Sequence, residues 1–238
     1  IASIPAAELA PVLALIRAEL LFGGHILGET TGIQGWQDRD PDVLQSFGEV
    51  SHGFWRGFEQ LAAMAAPDLL HRLEAADARF LDIGTGVGWL AIGMLQRFPD
   101  LTAVGIEPLA AALQLARTNL AATGLSARME LREGLGQDLA DRTAFDLVFV
   151  PSAFIPAMAL PQILSRARAA LRPGGRVLLA ALAASDPQSA ALVAFRAAVW
   201  GGTDLGHDRA RQMLETAGFT RIDLRQNPGG YIAFLLAS

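Results

Sequence analysis

The stretch "RFLDIGTGVGWLA", residues 79–91, limits what this chain can fold into more than any other. A short apolar run leads straight into glycines at alternate positions, Gly84, Gly86 and Gly88, and then into residues that suit a helix. Strand, tight turn and helix in immediate succession open a βαβ unit. In an open parallel sheet such a turn lies beyond the carboxyl end of its strand, where ligands bind. Glycine lacks Cβ, so the turn can take positive φ and bring backbone close to a ligand. The helix that follows presents free N–H groups to the same place.

From Arg79 onward the alternation continues. Strands are expected at Arg79–Ile83, Thr102–Ile106, Arg128–Arg132, Phe145–Val150 and Arg176–Leu182. Helices are expected at Gly88–Arg97, Pro108–Ala122, Pro161–Leu171 and Asp208–Ala217. The run "FDLVFV" is apolar nearly throughout, as suits a strand covered on both faces. Arg221–Gln226 and Tyr231–Leu236 flank "NPGG", a turn signal that joins two strands as a hairpin. The fold class implied is α/β, a doubly wound, mostly parallel sheet with one antiparallel strand. Residues 1–78 read differently: helical patterns separated by the polar loop "GETTGIQGWQDRDPD". They are expected to form a helical appendage over a core of residues 79–238.

The glycine spacing selects among nucleotides. A dinucleotide fingerprint G-x-G-x-x-G would place its last glycine at Trp89, which argues against NAD. A P-loop needs lysine, and all 19 basic residues are arginine. That also removes lysine Schiff-base chemistry. The chain has no cysteine, so disulfides, thiolate zinc sites and a cysteine nucleophile are excluded. A formal charge of −5, spread along the chain with no basic stripe, gives no reason to expect nucleic acid. Residues 6–27 are apolar but broken by Glu8, Pro11, Arg17, Glu19 and Gly23-Gly24, so they do not suit a membrane span. No secretory leader pattern is visible either, and the expected setting is cytoplasmic, without membrane. The chain opens on Ile1 rather than methionine, which leaves open further residues upstream. Glu107, in "AVGIEP", ends the second strand about 20 residues after the glycines, where a carboxylate accepts ribose hydroxyls. A carboxylate favoured by the following helix dipole is the alternative for Glu107, and a tight turn without ligand is the alternative for the glycines alone.

Taken in order, "FLDIGTGVGWLA", "VGIEP", "AFDLVFV" and "LRPGGRVLLA" resemble the successive motifs of class I S-adenosylmethionine-dependent methyltransferases, of the small-molecule type. The resemblance covers roughly Phe80 to the C-terminus. It implies a seven-stranded sheet with a reversed last strand and S-adenosylmethionine as cofactor. It places Asp82, Gly84 and Thr85 near the methionine part, with Gly86 and Gly88 shaping the turn. Glu107 would hold the ribose, and Pro108 and Leu109 would pack on the adenine. Where the family often has "GDA" after the third strand, this chain reads "EGLGQDL", so Leu135 replaces an aspartate. Backbone around Gly134, Leu135 and Gly136, or Gln137, would then meet the adenine edge, and Pro151 would border the site.

After the fourth strand the chain reads "VPSAFIPAMALP". In the family this stretch borders donor and acceptor. It lacks the "NPPY" or "DPPY" of DNA- and amide-methylating members, the acidic metal ligands of catechol-type members and the histidine base of plant-like members. Methyl transfer without metal, to oxygen of a small apolar or aromatic metabolite, is therefore expected. Transfer to nitrogen or carbon, and a protein that binds the cofactor without methylating, are the alternatives. The appendage gathers the aromatic residues Trp36, Phe47, Phe54, Trp55 and Phe58, for each of which core packing is the alternative. Ser152, Phe154 and Met158 from this stretch, Trp36, Phe54 and Trp55 from that cluster, and Trp200 are expected to line an acceptor pocket. Among the histidines, His71 suits an exposed helix position and His207 a helix start. His52, just before the core, is the candidate base, since histidine titrates near neutral pH; ordinary surface placement is its alternative. The appendage is expected to cap the acceptor pocket, with a homodimer contact through its helices as a further expectation.

Overall fold

The computed structural model describes residues 13, 15–21, 40–184, 186–226 and 232–238. Trp36, most of the "GETTGIQGWQDRDPD" loop and the "NPGG" turn lie outside them. Residues 15–21 are helical. Three helices follow: α1 (Pro41–His52), α2 (Phe54–Ala65) and α3 (Pro67–Leu73). Then come β1 (Arg79–Ile83), α4 (Trp89–Arg97), β2 (Thr102–Glu107), α5 (Ala110–Thr123), β3 (Met129–Glu133) and β4 (Phe145–Pro151). The rest is α6 (Leu160–Ala170), β5 (Leu171–Leu182), α7 (Pro187–Trp200), α8 (Gly206–Thr216), β6 (Ile222–Gln226) and β7 (Ile232–Ala237).

The seven strands form one sheet in the order β3-β2-β1-β4-β5-β7-β6, with β7 antiparallel to both its neighbours. The chain winds outward from β1 to β3 and then returns to β4 beside β1. Strand order reverses there, and a crevice opens beyond the carboxyl ends of β1 and β4. Both faces are buried. Leu147 and Phe149 of β4 and Leu178, Ala180 and Leu182 of β5 face one apolar layer. Val148, Val150, Val177, Leu179 and Ala181 face the other. That two-residue period is the pleat, and it explains why "FDLVFV" is apolar at nearly every position.

The helices before β1 share this core. Phe58, Leu61, Leu69 and Leu73 of α2 and α3 pack in one cluster with Phe80, Leu147 and Phe234 of the sheet. Residue 78 is thus a change of sequence pattern, and the packing runs through it. Helix α7 is an element the sequence pattern does not separate from its surroundings. "PQSAALVAFRAAVW" is apolar on nearly every side, so no stripe stands out. Its start is nonetheless capped, since Ser189 N–H donates to Asp186 Oδ1 at 2.9 Å. Strand β5 begins at Leu171 rather than Arg176, with a register shift opposite Phe145 and Leu147 that takes up "RPGG". Among the described residues no helix is long and apolar enough to cross a membrane.

Candidate active site

The turn after β1 is built as its glycines require. Gly84, Gly86 and Gly88 have φ of 68°, 55° and 83°, a region costly for residues with Cβ. The N–H groups of Gly84 and Thr85 both donate to the carbonyl of Ile106, at 2.8 and 3.1 Å, which ties the turn to β2. A Cβ on Gly86 would meet nothing within 4 Å. At this position the backbone itself faces open space, and that space is the crevice.

Two buried carboxyl groups flank it. Glu107 accepts the Gly86 N–H at Oε2 (2.9 Å) and the Leu109 N–H at Oε1 (3.0 Å). Each oxygen keeps a lone pair for a ligand hydroxyl. Burial raises the Glu107 pKa, opposed by the bonds from Leu109 and Gly86. Asp82 is 1% exposed and accepts from Thr85 Oγ1 at 2.8 Å. Burial pushes its pKa up to about 7, with the Thr85 bond opposing and the Glu107 charge adding. Thr85 can be buried beside Asp82 because Gly105 on β2 has no side chain; a Cβ there would lie 2.7 Å from Thr85 Cγ2.

These groups open onto a cavity of about 320 Å³, within the range of small-molecule sites. One end carries Asp82, Thr85, Glu107 and Gln137; the other is walled by Phe47, Phe54, Phe154, Ile155 and Pro156. Residues 80–175, which hold the glycine turn, both carboxyls and β4, match the methyltransferase-domain family. These residues form a methyltransferase domain, and its motifs and strand order agree with the class I S-adenosylmethionine-dependent type. It is 30% identical over 173 residues to a release factor glutamine methyltransferase of Gloeobacter violaceus, covering 62% of this chain and 58% of that one. A demethylmenaquinone methyltransferase of Deinococcus radiodurans is 33% identical over 130 residues, 55% of this chain and 51% of that one. The chain therefore spans between half and three-fifths of these curated relatives. Among solved structures, an O-methyltransferase family protein of Burkholderia thailandensis shares the fold with a TM-score of 0.65 at 17% identity, over 98% of this chain and 72% of that one.

S-adenosylmethionine is the cofactor of such domains, and the residues of this one fit it. A charged, hydroxyl-bearing ligand would meet Asp82 and Glu107, and the bare backbone at Gly86 would let it approach. Gly84, Thr85, Pro108, Leu135, Gly136, Gln137 and Pro151 also line the cavity. Gly88, Leu109 and Gly134 do not. Gly88 stands as the left-handed cap before α4, and a Cβ there would face Ala116 at 3.5 Å. Leu109 gives its N–H to Glu107 but packs its side chain on the cluster of Leu44, Val87 and Ala112.

The residues expected on the acceptor side lie in different places. Phe54 and Phe154 line the cavity. Ser152 is fully buried, and its hydroxyl donates to the carbonyl of Ala180 at 3.0 Å. Met158 is 89% exposed. Trp55 packs over Gly93 on α4 and carries Arg56 on its ring. Trp200 is buried behind Phe154 and lines a second, smaller cavity. His52 does not reach the site: its ring lies against Trp89, 5.3 Å between centroids. The cause is helical rotation. Leu44, Phe47, Gly48 and Ser51 of α1 share the face that lines the cavity; residue 52 is turned about 100° further, toward α4.

Apart from Phe47, that face of α1 is the part of the site that sequence reasoning missed. Its spacing, i, i+3, i+4 and i+7, was the available signal. What seats it there is side-chain chemistry between distant residues. Gln45 Oε1 accepts from Trp89 Nε1 (2.9 Å) and Asn119 Nδ2 (3.1 Å). Asn119 Nδ2 also donates to the Val87 carbonyl in the glycine turn, at 2.9 Å. Gly48 allows the contact, since a Cβ there would run into Val87 and Trp89.

The Asp82 pKa gives a pH prediction. A carboxyl that titrates near 3.8 unfolded and about 7 folded binds its proton more tightly in the native state. Its stabilising share is complete below about pH 4 and is lost as pH rises toward 7. Urea unfolding midpoints of the ligand-free protein should fall over that window, and Asp82→Asn should flatten the fall. An identical pH profile in the variant would place the coupling elsewhere.

Proposed function

We propose that this chain transfers the methyl group of S-adenosylmethionine to an oxygen of a small, uncharged, apolar or aromatic acceptor. One observation carries the reading: a single cavity passes from the Asp82–Glu107 end into an aromatic wall of Phe47, Phe54 and Phe154. A polar end suits the cofactor; an uncharged ring or apolar body suits the other. The cofactor supplies a methyl group already activated on a sulfonium. The chain's own part is to hold it through Glu107, Asp82 and the glycine turn, to orient the acceptor along the aromatic wall and to exclude water. Asp82 and Glu107 are the titratable side chains among the described cavity residues, and both are already hydrogen-bonded. The reading therefore assigns most of the acceleration to proximity and orientation.

Two further points support it. After β4 the chain reads "VPSAFIP" where amide-methylating members of the family carry "NPPY", a departure that weighs against an amide acceptor even though one relative is named for glutamine. One relative is named for demethylmenaquinone and one structural neighbour as an O-methyltransferase family protein, names in keeping with a small acceptor and with oxygen. The test is incubation with methyl-labelled S-adenosylmethionine and a panel of phenols, hydroquinones and aliphatic alcohols, followed by NMR of the products. The expected result is S-adenosylhomocysteine together with label in an O-methyl group. Label on carbon or nitrogen, or bound cofactor that is never consumed, would overturn it.

A further inference from the structure

Beside the acceptor end of the cavity lies an apolar annex of about 50 Å³. Phe47, Ser51, Phe54, Pro151 and Phe154 line both it and the larger cavity, so the two spaces adjoin along these residues. The far side is Trp200, with Ala180 of β5 and Leu15 closing the rest. Phe154 stacks on Trp200 with centroids 5.2 Å apart and planes 17° apart. Phe47 stands edge-on to both, at 6.0 and 5.5 Å. None of the described lining residues is titratable. The Ser51 hydroxyl donates to the Gly48 carbonyl at 2.7 Å, so its proton is spoken for.

From these walls we infer that the annex is a size filter, which receives a short uncharged alkyl substituent of the acceptor and whose depth Trp200 sets. The inference rests on the proposed small-acceptor reading for its occupant. Three arguments carry it. A charged or strongly polar substituent would lose its water there and gain no charged partner among the described lining residues. Volume excludes a ring: an apolar cavity of about 150 Å³ holds benzene, and the annex has about a third of that space, enough for roughly two or three carbons. Lastly, the walls are braced. The loop after α7 lies on the turn that carries Phe154: Thr203 N–H donates to the Ser152 carbonyl at 3.3 Å and Thr203 Oγ1 to the Ile155 carbonyl at 3.1 Å. A Cβ on Gly202 would collide with the Ala153 carbonyl. The segments that carry Trp200 and Phe154 are thus tied by hydrogen bonds to backbone as well as by their stacked rings, which opposes their moving apart.

The test uses phenol and its 4-methyl, 4-ethyl, 4-propyl and 4-butyl derivatives as probes. Each is titrated by calorimetry into protein saturated with S-adenosylhomocysteine, and methyl transfer from S-adenosylmethionine is followed alongside. The dissociation constant should tighten about fourfold per carbon while the chain is being buried, then weaken at least about tenfold by butyl as the chain meets Trp200. Trp200→Ala should move the limit to longer chains. Ala180→Val adds bulk to the same wall and should move it to shorter ones, which keeps a reading should the tryptophan variant not fold. Failure of every phenol to bind, affinity that ignores chain length or improves through butyl, or a limit unmoved in the variants would overturn the inference. Phenols that obey the length limit yet accept no methyl would overturn the oxygen reading and leave the annex standing.

Discussion

Glu107→Ala is expected to weaken binding of S-adenosylhomocysteine about 100-fold, or roughly 2.7 kcal/mol. The carboxylate does two things at once. It offers charged acceptor sites to a ribose, and it holds the Gly86 and Leu109 N–H groups that shape the turn. Alanine removes both and leaves two backbone donors without their acceptor. Glu107→Gln should recover little, because its amide keeps one acceptor oxygen and turns an N–H toward the other backbone N–H. Calorimetry on protein with unchanged circular dichroism is the measurement. A dissociation constant within threefold of the parent would remove Glu107 from the site.

Asp146→Ala is expected to cost about 3 kcal/mol of stability and to lower Tm by about 6–12 °C. Asp146 is buried at the start of β4. Its Oδ2 accepts from the Arg79 N–H and Arg172 Nη1, each at 2.9 Å, and its Oδ1 from Arg72 Nη1 at 3.4 Å. The Arg72 and Arg172 side chains are 37% and 27% exposed, so water screens part of the loss and the lower end of the range for a broken buried pair applies. Asp146 lies at the amino end of β4, across the sheet from the crevice at its carboxyl end. Scanning calorimetry should therefore show the fall in Tm while cofactor affinity stays as it was. A fall under 2 °C would mean that the arginines find other partners.

Legibility in the sequence followed the range of the interactions. Strand β1, the glycine turn and the start of α4 are written within ten or so residues, because φ at Gly84, Gly86 and Gly88 and the pleat of "FLDI" are local properties. Asp82, Thr85 and Glu107 come with them. The post-β4 stretch shows the opposite case. "PSAF" names Ser152 and Phe154 equally, yet the pleat and the turn send one hydroxyl inward to Ala180 and one ring toward the cavity. His52 and Ser51 are neighbours, and a helical turn of about 100° decides which of them meets the site.

The sequence by itself determined the α/β class, the turn at the end of β1 and the two carboxyls that flank it, since backbone conformation and a two-residue or 3.6-residue period are set by neighbours in the chain. Tertiary structure alone decided that α1 forms a wall of the cavity, through Gln45 meeting Trp89 and Asn119, 44 and 74 residues away. It alone brought Trp200 onto Phe154 and closed the annex. Such contacts depend on which helix faces pack together. Packing depends on the shape and hydrogen-bonding needs of both partners at once, and no single segment carries that information.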